Sequence, residues 1–178
     1  MDPTINAKWL ADLTRFIQHF PLRAPDMSLI VLKGHLLTEE LLREFLRSKV
    51  KHPSYLTEAR LTYIQCLHVA RALSMLPEDW VWDAAARLNV IRNKLSHALE
   101  PDGLDVAIEE FIAIVQRHSP GQPTKELREI FTPLGVAIFG VHAALSAQLR
   151  VKPPSLFDLF TESPNSPVQP TTAEDSGG

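Results

Sequence analysis

Three observations predict an all-α fold, an antiparallel helical bundle of about six helices followed by a disordered C-terminal tail. Apolar residues recur at three- and four-residue spacing through most of the first 150 positions. Short proline-bearing turns separate those runs: His52-Pro53-Ser54, Pro77-Glu78-Asp79, Pro101-Asp102-Gly103 and Ser119-Pro120-Gly121-Gln122-Pro123. No segment alternates apolar and polar residues over a useful strand length, and there is neither an internal repeat nor a Gly-rich phosphate loop.

The chain of 178 residues divides by composition into a bundle domain over 1–150 and a Pro/Ser/Thr-rich tail over 151–178. Within the tail, Ser155-Leu156-Phe157-Asp158-Leu159-Phe160 is an apolar cluster able to dock as a short motif. A net charge of -3 argues against a coat protein that neutralises nucleic acid, though it permits a local basic site. The single cysteine, Cys66, excludes an intramolecular disulfide and sits in an apolar run as a core filler. No basic segment followed by an apolar run opens the chain, so a cytoplasmic protein without a signal peptide is expected.

Taken in order, Thr4 or Asn6 is the expected cap of a first helix carrying Trp9, Leu10, Leu13, Phe16, Ile17 and Phe20 inward, ended by Pro21 and Pro25. Asp26 or Ser28 opens a second to about Val50, with Val31, Leu41, Leu42 and Phe45 buried and Lys33, Glu40, Arg43, Glu44 and Arg47 wet. His35, Thr38 and Glu39 fall on or beside its buried side, an unusual place for them. Thr57 is the expected cap of a third helix, Glu58 to about Met75, facing inward with Leu61, Ile64, Leu67, Val69, Ala72 and Leu73. The fourth runs from Trp80 to about Leu99, the fifth from about Leu104 to His118, and the sixth from about Lys125 to Arg150 with a kink at Pro133. Residues 130–149 are long and apolar enough to raise a membrane span. Pro133, His142, Ser146 and Gln148 within them favour a central bundle helix, and no membrane partner is expected.

The fourth helix has two faces. On a wheel at about 100° per residue, Trp80, Val81, Ala84, Leu88, Ile91, Leu95, Ala98 and Leu99 form one core stripe. The other side collects Ala85, Ala86, Asn89, Val90, Arg92, Asn93, Ser96 and His97, with no carboxylate between Asp83 and Glu100. A solvated face normally carries Glu and Lys pairs, so this second face is expected to meet a partner. A homodimer packed through the Ala86–Val90–Asn93–His97 row of helix 80–99 satisfies it.

Chemistry points to the same helix. The seven histidines form no His-x-x-x-His pattern, so no metal or other cofactor is expected. His35 and Glu39, one turn apart, are expected as a buried histidine hydrogen-bonded to its neighbouring carboxylate. No Gly-x-Ser-x-Gly elbow is present. Within Arg92-Asn93-Lys94-Leu95-Ser96-His97, the arginine offers a permanent fork of donors for a phosphodiester, and the histidine exchanges a proton near neutral pH. Together they suffice for cleaving RNA through its own 2′-hydroxyl, which makes RNA the expected substrate. Arg92 and His97 are therefore the catalytic candidates, with Asn93, Ser96, Asn89, His35 and Glu39 in support. Five residues apart, the first two lie about 140° apart around an ideal helix and about 7.5 Å along it. Arg92 must wrap round, or a second subunit must supply the histidine. The alternative reading is that basic residues in the last turns merely complement the helix dipole.

At this motif the sequence resembles the HEPN superfamily, helical bundles with an Arg-polar-x-x-x-His signature near the end of a long helix. Arg92, Asn93 and His97 carry the match, and Gly34-His35-Leu36-Leu37-Thr38-Glu39-Glu40-Leu41-Leu42 is similar to a segment of several bacterial branches. The resemblance implies a metal-independent endoribonuclease of toxin or phage-defence type, dimeric, with the motif at a shared cleft. An antitoxin or a regulatory partner protein would accompany it. Toxins of this class silenced by nucleotidylation have a Tyr two residues after the His, where this chain has Leu99. The segment around Leu37-Thr38-Glu39 is also distantly similar to the mannitol-operon repressor group, which implies instead a non-catalytic dimeric transcriptional regulator or interaction module.

Overall fold

A computed structural model describes residues 3–22, 26–98, 100–118 and 129–150, with side chains from residue 7 onward. Seven helices lie among them: α1 Pro3–His19, α2 Met27–Lys49, α3 Pro53–Glu58, α4 Tyr63–Ala72, α5 Trp80–His97, α6 Leu104–His118 and α7 Pro133–Arg150. No strand occurs among the described residues, so the fold is the expected all-α bundle. The tail after residue 150, its apolar cluster, and Thr4, Asn6 and Leu99 among the expected caps and core residues lie outside the described residues or side chains.

Helix α2 is the centre of the bundle, packing against α7, α4 and α5. Asp26 caps it, its Oδ1 accepting from the N–H groups of Ser28 at 2.8 Å and Leu29 at 3.3 Å. Gly34 lets α7 approach closely, since a Cβ there would stand 2.4 Å from Ile138 Cγ2. Helices α5 and α6 form a hairpin whose pairs step away from the connection between them in register. Lys94 Nζ donates to the Asp102 carbonyl at 2.7 Å, Arg87 pairs with Glu110, and Trp80 stacks on His118 at 5.5 Å between ring centroids. Gly103, at φ 65°, makes the turn that a side chain would strain. At the other side of the bundle Asp12 of α1 receives a bidentate pair from Arg150 of α7, 2.8 and 3.0 Å, and Arg150 Nη1 also reaches Glu44 of α2 at 3.2 Å.

Three expectations change. The third helix is two: α3 stops at Glu58 and α4 starts at Tyr63, because Arg60 adopts a left-handed φ of 47° that no α-helix can continue. Thr62, not Thr57, precedes the longer piece, and Gln65 Oε1 reaches back to the Thr62 N–H at 2.9 Å. The shortened helix leaves Val69 and Leu73 exposed. Of the expected inward residues of the first helix and its end, only Phe16 and Phe20 are buried, and Trp9, Leu10 and Ile17 remain exposed, α1 packing mainly against α7. The last helix does not bend at Pro133 but starts there. Residues 129 and 130 are helical, the chain turns at 131–132, and Thr132 Oγ1 caps by accepting from the Gly135 N–H at 3.1 Å. Residues 125–128 lie outside the described residues. Among the described residues no helix is long and apolar enough to cross a membrane.

Candidate functional site

Helix α5 is held at both ends, which fixes the row of polar side chains along it. Asp79 Oδ1 accepts from the Val81 N–H at 3.2 Å, and the Lys94 contact to Asp102 pins the far end. Val81, Trp82, Ala84, Ala85, Leu88 and Ile91 are buried. Ala85, expected on the outer side, belongs to the core because α4 packs over it: the Tyr63 hydroxyl donates to the Ala85 carbonyl at 3.2 Å. The buried stripe thus runs wider than a single-sided wheel implies, and Ala98 at its end is exposed.

Between α2, the start of α4 and the outer side of α5 lies a pocket of about 400 Å³. Glu39 comes from α2, Thr62, Tyr63 and Ile64 from the α4 corner, and Asn89, Arg92 and Asn93 from α5. The pocket therefore brings together four of the seven residues singled out in the sequence.

His35 lies beneath this pocket, buried, with its ring 4.0 Å from the Tyr63 ring centroid. Its Nε2 stands 3.1 Å from Asn89 Oδ1, so with the oxygen accepting, the ring carries its proton on Nε2. Burial holds the His35 pKa below the ordinary value, against the opposing pull of Asn89 and Glu39. The ring is neutral near pH 7 and serves to orient Asn89. Its Nδ1 is 3.9 Å from Glu39 Oε2, beyond hydrogen-bond reach, so the expected His35–Glu39 hydrogen bond is replaced by one to a different helix. Tyr63 stays protonated too, because burial pushes its phenol far above the usual range.

Two charges line the pocket, and only one is neutralised. Glu39 Oε1 accepts from Arg43 Nε at 2.8 Å and Nη2 at 2.6 Å. Arg92 donates from Nη1 to Asn93 Oδ1 at 3.1 Å, while its buried Nε has no hydrogen-bond partner among the described residues. A buried guanidinium donor facing no acceptor carries a desolvation cost that an arriving anion removes.

The rest of the motif is placed differently. Ser96 Oγ donates to the Arg92 carbonyl at 2.9 Å, tying its hydroxyl to its own helix rather than to the pocket. His97, the last residue of α5, is exposed and does not line the pocket. No hydrogen bond among the described residues joins it to Arg92 or Asn93; the Asn93 oxygen is occupied by Arg92. Sequence reasoning missed Thr62, Tyr63 and Arg43. The signal available was Thr62-Tyr63-Ile64-Gln65, a Thr-x-x-Gln helix start inside what was expected as one longer helix. It also missed an apolar row beside the pocket: Leu29, Leu32 and Leu36 are exposed, and on the wheel of α2 they lie together on the side of Glu39. Among the described residues no three His, Cys, Asp or Glu side chains are grouped to hold a metal ion. Comparison of the chain with family models, curated proteins and solved structures finds no match.

Proposed function

We propose that this protein is a metal-independent endoribonuclease of HEPN type, acting as a cytoplasmic dimer. The observation that carries the reading is Arg92: a guanidinium with an unpartnered buried Nε, in a pocket whose one carboxylate is already held by Arg43. Such a group binds a phosphodiester in planar, bidentate fashion and stabilises the added negative charge of a phosphorane. Asn89, oriented by His35, supplies a neutral amide beside it. His97 then exchanges the proton. It takes the proton of the 2′-hydroxyl as the O2′–P bond forms, and the imidazolium so made returns that proton to the departing 5′-oxygen as the P–O5′ bond breaks. The products are a 2′,3′-cyclic phosphate and a free 5′-hydroxyl, with no net change in protons.

His97 lies outside the pocket of its own chain, so the proposal places it in the pocket of a second copy. A two-fold contact along Ala86, Val90, Asn93 and His97 brings two motifs together, and the exposed Leu29, Leu32 and Leu36 extend the apolar part of that contact. The position of His97 also favours the second reading, a non-catalytic dimeric regulator that uses the same pocket to bind rather than cleave.

Incubating purified protein with mixed RNAs in EDTA separates the two. The nuclease reading expects cleavage leaving cyclic phosphate ends, reduced at least ~100-fold in both Arg92→Ala and His97→Ala. Absence of cleavage at every protein concentration rejects it, and retained RNA or protein binding by the same preparation then selects the regulator.

A further inference from the structure

A second pocket, of about 340 Å³, lies on the other side of the Arg43–Glu39 contact, between the C-terminal half of α2 and the α3–α4 corner. Its lining joins basic and apolar side chains, with Thr57 and Cys66 beside them. Arg43, Arg47 and Arg60 contribute three guanidinium groups, and Leu46, Leu56 and Leu61 an apolar wall. No carboxylate lines it, although the chain as a whole is negative by three charges. Arg43 is fixed, donating to Glu39 Oε1 and, from Nη2 at 2.6 Å, to the Leu61 carbonyl. The side chains of Arg47 and Arg60, both exposed, have no hydrogen-bond or ion-pair partner among the described residues. Gathering like charges at one concavity is unfavourable unless a counter-charge completes it.

We propose that this pocket binds a nucleotide-sized ligand bearing a phosphomonoester. The phosphate sits between Arg47 and Arg60, and the base or another flat apolar body lies on the three leucines. Guanidinium forks match phosphate oxygens bidentately, and the volume is in the range of small-molecule sites. Two sources offer the same chemistry, a free nucleoside monophosphate or the terminal phosphate of an RNA strand. The left-handed Arg60 serves this arrangement: its backbone turns the chain at the corner where its side chain enters the pocket lining. A side chain at this left-handed position is strained where glycine would not be. Neither Arg47 nor Arg60 belongs to the Arg92 pocket, so the site stands apart from the proposed cleavage chemistry.

The test is calorimetric titration of the full chain with AMP, adenosine and inorganic phosphate, and with one short RNA in 5′-phosphorylated and 5′-hydroxyl forms. AMP is expected to bind at least ~10-fold more tightly than adenosine, weakening as salt rises, and Arg92→Gln is expected to leave this unchanged. The Arg47→Gln/Arg60→Gln double variant, with circular dichroism matching the wild type, is expected to lose the preference for phosphate. Arg60→Gly is expected to raise thermal stability while weakening AMP, a split that a merely structural Arg60 would not produce. Preference for the 5′-phosphorylated RNA over both AMP and the 5′-hydroxyl RNA assigns the strand end as the source. The proposal is overturned if neither AMP nor 5′-phosphorylated RNA binds, if adenosine equals AMP, or if the double variant binds as the wild type does. None of these outcomes bears on cleavage, so the two pockets succeed or fail separately.

Discussion

At the scale of single residues, the chain buries several polar groups and satisfies them across long sequence separations. Asp12 is a clear case, taking three bonds from Arg150 and one from the Ser146 hydroxyl, all from the last helix. His142 is the exception in the same region. It is 2 % exposed, packs 4.7 Å from the Phe16 ring centroid, and its Nδ1 has no partner among the described residues. Burial pushes its pKa down to about 4, although the carboxylates of Asp12 and Glu40 pull the other way. In the unfolded chain the ring titrates near the ordinary value of about 6.5. As pH falls from about 6.5 to about 4, the unfolded state takes up a proton that the folded state refuses, so stability falls across that window, by about 3 kcal/mol in total. His35, also lowered by burial, adds to the loss with the same sign. Urea midpoints measured from pH 7.5 to 4 should therefore slope downward, and His142→Phe should flatten the slope in part. An unchanged slope in that variant would place the acid sensitivity elsewhere. Neither histidine betrays its setting in the sequence. His35 was visible as an odd residue on a buried side, but its partner Asn89 lies 54 positions away, and no local pattern encodes that pairing.

At the scale of elements, α2 and α7 approach closely at Gly34. A methyl group there meets Ile138 Cγ2 at 2.4 Å and Cδ1 at 3.2 Å, with Phe20 Cε2 behind at 3.4 Å. Ile138 is fully buried. Gly34→Ala gains about 1 kcal/mol of helix propensity and loses about 1–3 kcal/mol to overpacking, so a net destabilisation is expected. In an Ile138→Ala background the clash is gone and the same substitution should become stabilising. A denaturation cycle over the four proteins measures the change of sign; additive effects would mean that α7 simply moves away. Element boundaries were legible where a local cap sets them. Asp79 starts α5, Gly103 turns the chain into α6, and Asp26 starts α2, all within three residues of the helix they define. The break between α3 and α4 was not legible, since it depends on a left-handed arginine rather than a glycine or proline. Missing that break also hid the pocket corner, because Thr62, Tyr63 and Ile64 stand where they do only when α4 restarts there.

At the scale of the molecule, the sequence-derived idea that α5 has a second working face divides in two. Asn89, Arg92 and Asn93 do converge with Glu39 on one pocket, a convergence foreshadowed by their common side of the helix. His97 stands clear of it, as the angular separation of about 140° from Arg92 requires. On the proposed dimer, one cleavage centre combines Arg92 of one protomer with His97 of the partner subunit. The apolar residues available for the contact, Val90 on α5 and Leu29, Leu32 and Leu36 on α2, are between 37% and 46% exposed. Because a two-fold contact sets each patch against its own copy, Val90→Glu should place two like charges near the axis and yield a folded monomer by light scattering, with cleavage lost. The division of labour has a stricter consequence. Arg92→Ala and His97→Ala, each inactive alone, share one intact composite centre when they pair. Mixing equal amounts and allowing subunits to exchange should restore about one quarter of wild-type cleavage, since half of the dimers are mixed and each mixed dimer has one of its two centres. Val90→Glu introduced into both variants should abolish the recovery. If Arg92 and His97 of the same chain acted together, every centre in the mixture would lack one of them and no activity would return. That result would rule out the shared centre even if the wild type cleaves RNA.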